Sequence, residues 1–402
     1  MLMSVSALVT SCIAVVSFQA PKIRDSSGVR VVENAAPMLA NAWRVPAQPL
    51  AQIGVTAGDP AQELYRVAGV VLLTTDVVVV ANGGTNELRW YSPEGRHIRT
   101  VGGSGGGPGE FSMLSEVFGL PGDSVAAYDV RARRLTVFDS AGQFVRSQQV
   151  PPDPTFLYPS LTHRFGDGTY LAVTGSISLG DHGPTRVERL PFGVYRFVPA
   201  SGRIEEIASY PGLEVIIGPT GGMTQDGTVL VGRNRRAFGR NTTVTGYADG
   251  WIVADNDRPE LQYWSATAGL RIIARWHVEP QPTTRADIET YKKALFERSD
   301  DPAWRRRMEA AWAAWPDPPN TKPYFGDQMQ VDPAGNVWIQ EFIGPEGGGN
   351  TWSVLDASGR WLVDVVLPSH HRVLAVGDDR IVLLQRTELD VEVLSVHEIQ
   401  KR

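Results

Sequence analysis

The sequence predicts an all-β fold: a six-bladed β-propeller whose N-terminal strand closes the last blade, interrupted by one α-helical hairpin. Three observations predict it. Residues 101–150 read as four short strands joined by Gly-bearing turns, which is one complete antiparallel unit. That unit recurs, with the first turn at Thr75 or Gly122 preceding the second at Gly95 or Gly142 by twenty residues in both cases. The chain also ends on a set of only three strands and begins with one strand that has no hairpin partner. A ring with a shared last blade accounts for both ends and leaves no open sheet edge.

The first strand of that scheme is the orphan, Leu50 to Val55. One unit follows as Val67 to Leu73, Val77 to Asn82, Leu88 to Ser92 and His97 to Val101. The next opens after the glycine-rich loop Gly105-Gly106-Gly107-Pro108-Gly109-Glu110-Phe111. It runs Val117 to Leu120, Ser124 to Asp129, Leu135 to Asp139 and Gln143 to Gln149. A third reads Tyr158 to Arg164, Thr169 to Thr174, Gly193 to Val198 and Ile204 to Tyr210, with an insertion from Gly175 to Pro191. A fourth is expected to start at Thr228 to Val231, behind the turn Gln225-Asp226-Gly227. It resumes at Trp251 to Ala254 after a second insertion, Gly232 to Gly250.

The period changes at Thr284. Thr284-Arg285-Ala286-Asp287 has the form of a capping box with Asp in the Glu position. Ile288, Tyr291, Leu295 and Phe296 then share a helical face. Asp301-Pro302 is a second start, with Asp as N-cap and Pro at the first helical position. Trp304, Met308, Ala311, Trp312 and Trp315 continue the apolar stripe until Pro316 and Pro318-Pro319 end it. These spacings predict core packing against a face of the propeller rather than a ligand-stacking surface. Strands return from Gln328 to Leu367 and from Val373 to Ile399.

Composition narrows the function classes. A net charge of −6 argues against a nucleic-acid surface, which needs a basic excess. A single cysteine, Cys12, rules out an internal disulfide and any cysteine-based metal site. Cys12 lies in the apolar run Val5 to Phe18, which is short for a bilayer span and suits a signal-peptide core. Val15-Val16-Ser17 offers a cleavage site, and Val9-Thr10-Ser11-Cys12 a loose lipoprotein box. The expected organisation is a leader over 1–20, a linker over 21–47 and the propeller over 48–402, with the helical insertion at 284–316. The expected location is exported, periplasmic or extracellular, with membrane attachment only if Cys12 is lipidated.

Ala127-Tyr128-Asp129 followed by Arg134 to Phe144, RLTVFDSAGQF, resembles the NHL repeat. The loop Gly105 to Phe111 is similar to the connection between consecutive NHL blades. The whole arrangement, helical insertion included, resembles the uncharacterised exported six-bladed propellers of bacteria. The resemblance implies a fold and a location; it implies no activity, because propellers host binding, scaffolding and catalysis alike.

No catalytic motif emerges. Gly102-Gly103-Ser104-Gly105-Gly106 matches G-x-S-x-G, but a nucleophile elbow needs a strand, a sharp turn and a helix, and here a strand follows. Asp255-Asn256-Asp257 begins like a calcium loop, yet Pro259 takes the next ligand position. His370-His371 precedes a strand, and adjacent residues on extended chain point opposite ways, so a shared metal is not expected. The one unusual cluster is Arg233, Arg235, Arg236 and Arg240. Four guanidinium groups on a loop of an acidic protein form a candidate site for carboxylate, sulfate or phosphate, unless nearby acids neutralise them. The sequence thus predicts a binding scaffold with no cofactor, whose partner is a protein or a small anionic or carbohydrate-like ligand. The alternative is a hydrolase or lyase with a divalent metal at the channel mouth.

Overall fold

The structure is a computed structural model that describes residues 20–39, 42–54, 58–152, 159–175, 184–224, 229–344, 349–387 and 389–401. The leader with Cys12 and the turn Gln225-Asp226-Gly227 lie outside the described residues. Among the described residues the chain is mostly β, with two α-helices.

Among the described residues, six sheets of four or more strands, antiparallel apart from one added strand, follow one another along the chain, and a small pair joins Trp43–Arg44 to Gln400–Lys401. Sheet 1 is Val67–Leu72, Val78–Asn82, Glu87–Tyr91 and His97–Gly102. Sheet 2 is Leu114–Gly119, Val125–Asp129, Arg134–Phe138 and Phe144–Gln149. Sheet 3 comprises Ser160–Arg164, Tyr170–Gly175, Arg186–Val198 and Arg203–Met223, with Val229–Arg235 paired on the last. Sheet 4 is Thr242–Tyr247, Gly250–Asp255, Glu260–Ser265 and Gly269–Trp276. Sheet 5 is Phe325–Val331, Val337–Glu341, Asn350–Leu355 and Trp361–Leu367. Sheet 6 is Arg372–Val376, Arg380–Arg386 and Glu392–Glu398, and its fourth strand is the N-terminal Ala51–Ile53. Ile53 pairs with Leu394 and Ala51 with Val396, antiparallel.

The first strand of each sheet lies beside the first strand of the next, and Arg372–Val376 lies beside Val67–Leu72. Strands alternate, so one face of each sheet packs on its predecessor and the other on its successor. The largest clusters therefore sit between neighbouring sheets. One joins Val79, Trp90 and Phe111 to Val117 and Phe138. Another joins Trp338, Trp352 and Val363 to Val373 and Leu383.

A buried polar side chain at the end of the second strand holds the chain entering three of these sheets. Asn82 Oδ1 accepts from the Tyr65 N–H at 2.7 Å, and Asp129 accepts from the N–H groups of Ser112 and Met113. Asn256 Oδ1 accepts from the Asn241 N–H at 2.8 Å. These side chains are almost wholly buried, so each bond offsets the cost of leaving a backbone donor dry. The hairpin turns that repeat along the sequence use a second device. Asp139 Oδ1 accepts from Ala141 and Gln143 N–H, and Gly142 takes φ 76°, where a side chain is disfavoured.

Three expectations are corrected. Residues 21–47 are not all linker: Lys22–Ser26 and Val29–Asn34 form a hairpin, and the second strand pairs in parallel with Gly269–Trp276. Val31 and Val32 are buried there, a burial too short to show as periodicity. Asn34 then donates to Arg275 O and Gly359 O and accepts from Trp361 N–H, which ties sheet 4 to sheet 5. The third sheet holds the second correction. Its third and fourth strands do not stop at a turn and an insertion but continue as a ribbon, Arg186 pairing with Ile217. Third, Val229–Arg235 pairs back onto that ribbon, so sheet 4 opens at Thr242, inside the stretch expected as an insertion.

Candidate functional site

Both elaborations emerge at the same end of the ring of sheets. First strands start, and second and fourth strands finish, at one end by antiparallel alternation. The ribbon of Arg186–Val198 and Arg203–Met223 rises where Tyr170–Gly175 ends. The helices leave from the end of Gly269–Trp276 and return at Phe325. Helix α1 is Arg285–Phe296 and helix α2 is Pro302–Ala313. Thr284 and Asp287 form the expected capping box, and Asp301 caps the second helix at the Ala303 N–H.

The helical stripe packs within the hairpin, where Leu295, Met308 and Ala311 are buried against Tyr291, Trp304, Trp312 and Trp315. Helix α2 lies along the ribbon. Phe238 meets Tyr291 at 5.9 Å and Phe342 at 6.0 Å between ring centroids, joining the helices to sheet 5. The two ends of the insertion are zipped by Thr283 N–H to Asn320 O and Lys322 N–H to Gln281 O. Lys322 Nζ also reaches Asp287 at 2.7 Å. Partial burial works to raise the Asp287 carboxyl, but the bonds from Lys322 and Thr284 outweigh it and hold it at about 2.

The four arginines do not act as one group. Arg236 pairs with Glu214 at 3.1 Å and donates to the Asp317 carbonyl, fixing the ribbon to the chain that leaves α2. Arg240 pairs with Asp257 at 2.6 Å and donates to Thr321. Both are largely buried and serve to fasten the elaborations to the sheets. Arg233 and Arg235, two residues apart on one strand, line cavities instead. Arg235 pairs with Asp327 at 2.6 Å while about half its side chain stays exposed.

Two cavities meet at Asp327. The first, about 360 Å³, is lined by Arg235 and Arg298, by Gln328 and Gln340, and by aromatic rings including Tyr291 and Phe342. The second, about 480 Å³, holds Arg233 and a largely apolar wall. Sequence reasoning missed Asp327, Arg298 and Phe342. Asp327 is a charged residue in an inner strand, Phe325–Val331, and that breach of an apolar pattern was the available signal. Arg298 stands just past α1 with no sequence signal at all.

Deeper in the ring, Glu116 lies on the first strand of sheet 2 against Gly69 of sheet 1, where an added Cβ would touch Glu116 Oε1. Burial among the strands pushes its carboxyl up to about 7, against the Val117 N–H bond and the charge of Arg372. His163 is buried against Gly246, and that burial pushes its imidazole down to about 4. Among the described residues no group of three or more His, Cys, Asp and Glu is placed to hold a metal ion. Asp255 and Asp257 of the calcium-like triplet are instead paired with Arg189 and Arg240. His371 bonds the Ser369 carbonyl. No helix among the described residues is long and apolar enough to cross a membrane.

No protein-family model matches the chain, and no curated protein does. Solved structures with a similar arrangement include a member of the DUF4221 family from Bacteroides vulgatus. It is 10% identical, has a TM-score of 0.48, and covers 90% of this chain and 99% of that one. A gluconolactonase from Xanthomonas campestris is 11% identical with a TM-score of 0.43, covering 88% of this chain and 98% of its own. Virginiamycin B lyase from Staphylococcus aureus is 10% identical with a TM-score of 0.40, covering 88% of this chain and 99% of its own. The ring of sheets rests on the strand pairing itself.

Proposed function

We propose that this chain is an exported, NHL-like six-bladed propeller of the cell envelope that binds a small anionic ligand at its channel mouth. The ring of first strands supports the blade count, and the pairing of Ala51–Ile53 with Glu392–Glu398 supports closure by the N-terminal strand. The apolar leader supports export. One observation carries the binding site. Arg235 is held by Asp327 at 2.6 Å yet stays half exposed in a 360 Å³ cavity, and Arg298 lines the same cavity among aromatic rings. A pre-positioned guanidinium fork beside an apolar wall suits a carboxylate with an organic body, and the volume suits a small molecule.

The test is calorimetric titration of the full chain with small carboxylates such as phenylacetate, repeated on Arg235→Ala and Arg298→Ala. Binding weakened about tenfold or more in each variant is expected, since a charge-assisted bond contributes about 1.5–3 kcal/mol. Equal binding in all three proteins would remove the assignment.

A second reading, a hydrolase or lyase, is favoured by Glu116. A channel carboxyl near 7 is suited to proton transfer at neutral pH. Turnover of any ligand that is lost in Glu116→Gln, with binding retained, would establish it.

A further inference from the structure

A separate pair of arginines lies at the other end of the ring. By strand alternation, the turns between first and second strands and between third and fourth strands sit opposite the ribbon and helices. There a cavity of about 320 Å³ opens in the cleft between sheets 2 and 3, where the regular repeats give way to the first elongated one. Leu135, Val137 and Val145 give it an apolar side. Arg146 enters from the last strand of sheet 2 and Arg164 from the first strand of sheet 3. Tyr170 completes the wall, its ring buried against Phe118 and Phe197. Burial pushes the Tyr170 hydroxyl up, and the charges of both Arg164 and Arg146 pull against it. The two guanidinium groups and the hydroxyl therefore converge.

The acids of the bordering turns are committed elsewhere. Asp123 accepts from the N–H and the hydroxyl of Thr74 in sheet 1. Asp167 pairs with Arg196 and accepts from Thr169. Among the described residues no acid forms an ion pair with Arg146 or Arg164. Arg236 and Arg240, by contrast, each have a carboxylate of their own. Two like charges in one cleft repel each other, and a bound anion offsets that. Each guanidinium offers five N–H donors and no acceptor, so the partner must be rich in acceptors. A carboxylate leaves one of the two charges unmatched, whereas a phosphomonoester carries about −1.5 to −2 at neutral pH on three oxygens. We propose that this cleft binds a phosphomonoester, its phosphoryl group on Arg146, Arg164 and the Tyr170 hydroxyl and its organic body along Leu135 and Val137. The site is independent of the channel mouth.

The experiment is calorimetric titration of the full chain carrying Arg235→Ala, which silences the channel-mouth site, with phenyl phosphate and with phenyl sulfate. The two probes share a shape, and the sulfate has one charge fewer. Phenyl phosphate is expected to bind about tenfold or more tightly than phenyl sulfate. Adding Arg146→Gln or Arg164→Gln should weaken phenyl phosphate about tenfold or more. Tyr170→Phe, which keeps the buried ring, should weaken it severalfold. Arg146 is exposed on its strand, so Arg146→Gln carries the test should Arg164→Gln fail to fold, as judged by its melting curve. Equal affinity for the two probes would overturn the dianion, and phenyl phosphate binding untouched by Arg146→Gln would overturn the site. Binding to the parent chain that vanishes with Arg235→Ala would place the phosphate at the channel mouth and overturn the proposal while keeping that site.

Discussion

Sheets 1 and 2, from Val67 to Gln149, and sheets 3 and 4, from Ser160 to Trp276, are built on the same four-stranded plan and put to different use. In the first pair every strand stops within the sheet, and the residues between the sheets are almost all buried. In the second pair the strands of sheet 3 run on into a ribbon; one cavity opens along it and another lies against Arg235 on the strand paired with it. Regular repeats give the ring its stability, because each sheet buries both faces against neighbours. Function is added where a repeat is broken, since a strand that outgrows its sheet has walls but no neighbour to fill them.

The sharpest way to break this comparison is to truncate one aromatic side chain in each half. Trp90 is buried between sheets 1 and 2, so Trp90→Ala is expected to cost about 3–5 kcal/mol and lower the melting transition of the whole chain. Phe192 on the ribbon is only partly buried. Phe192→Ala is expected to cost about 1 kcal/mol and to act locally. Equal losses, measured by denaturant unfolding, would mean that the ribbon belongs to the core.

The polar clamps give a smaller contrast. Asp129 accepts from three backbone N–H groups, those of Ser112, Met113 and Ala132. Asn256 accepts from one, that of Asn241. Asp129→Ala should therefore destabilise by about 2 kcal/mol and Asn256→Ala by about 1 kcal/mol. The reverse order would show that sheet 4 depends on its clamp more than sheet 2 does.

The smallest effect is a pH slope. Burial raises the Glu116 carboxyl to about 7 in the folded chain, above its unfolded value. The folded state then binds more protons than the unfolded one between the two values, so stability falls as pH rises from about 4.5 to about 7. Glu116→Gln removes that slope. Its melting temperature should match the parent below pH 4 and exceed it above pH 7. Parallel profiles would show that Glu116 is fully hydrated in the channel.

The sequence was legible in the half where strand and turn coincide. Ser92, Asp139 and Asp356 each bond across a turn whose glycine has positive φ, and these turns mark the hairpin between the third and fourth strands of their sheets. The helices were equally readable, because caps and a 3.6-residue stripe are local signals. Sheet 4 was misplaced for a physical reason. Its first strand, Thr242–Tyr247, is TTVTGY, half threonine, because it lines the ring beside the channel rather than a dry core. Val229–Arg235 looked more like a strand opening, and its pairing with the ribbon depends on partners earlier in the chain. The arginines were visible as a cluster, but their division into fasteners and cavity walls was not. Glu214, Asp257 and Asp327 decide that division, and Asp327 is more than eighty residues beyond the cluster.

The most direct test of the division between a stable ring and a working end is hydrogen exchange along the chain, with and without phenylacetate. The account predicts that Val78–Asn82 and Val125–Asp129 exchange only by global unfolding, with or without ligand. Residues 235–239, 291–298 and 325–328 should exchange faster alone and slow markedly when phenylacetate is added. Uniform protection before addition, or slowing confined to sheets 1 and 2, would contradict it.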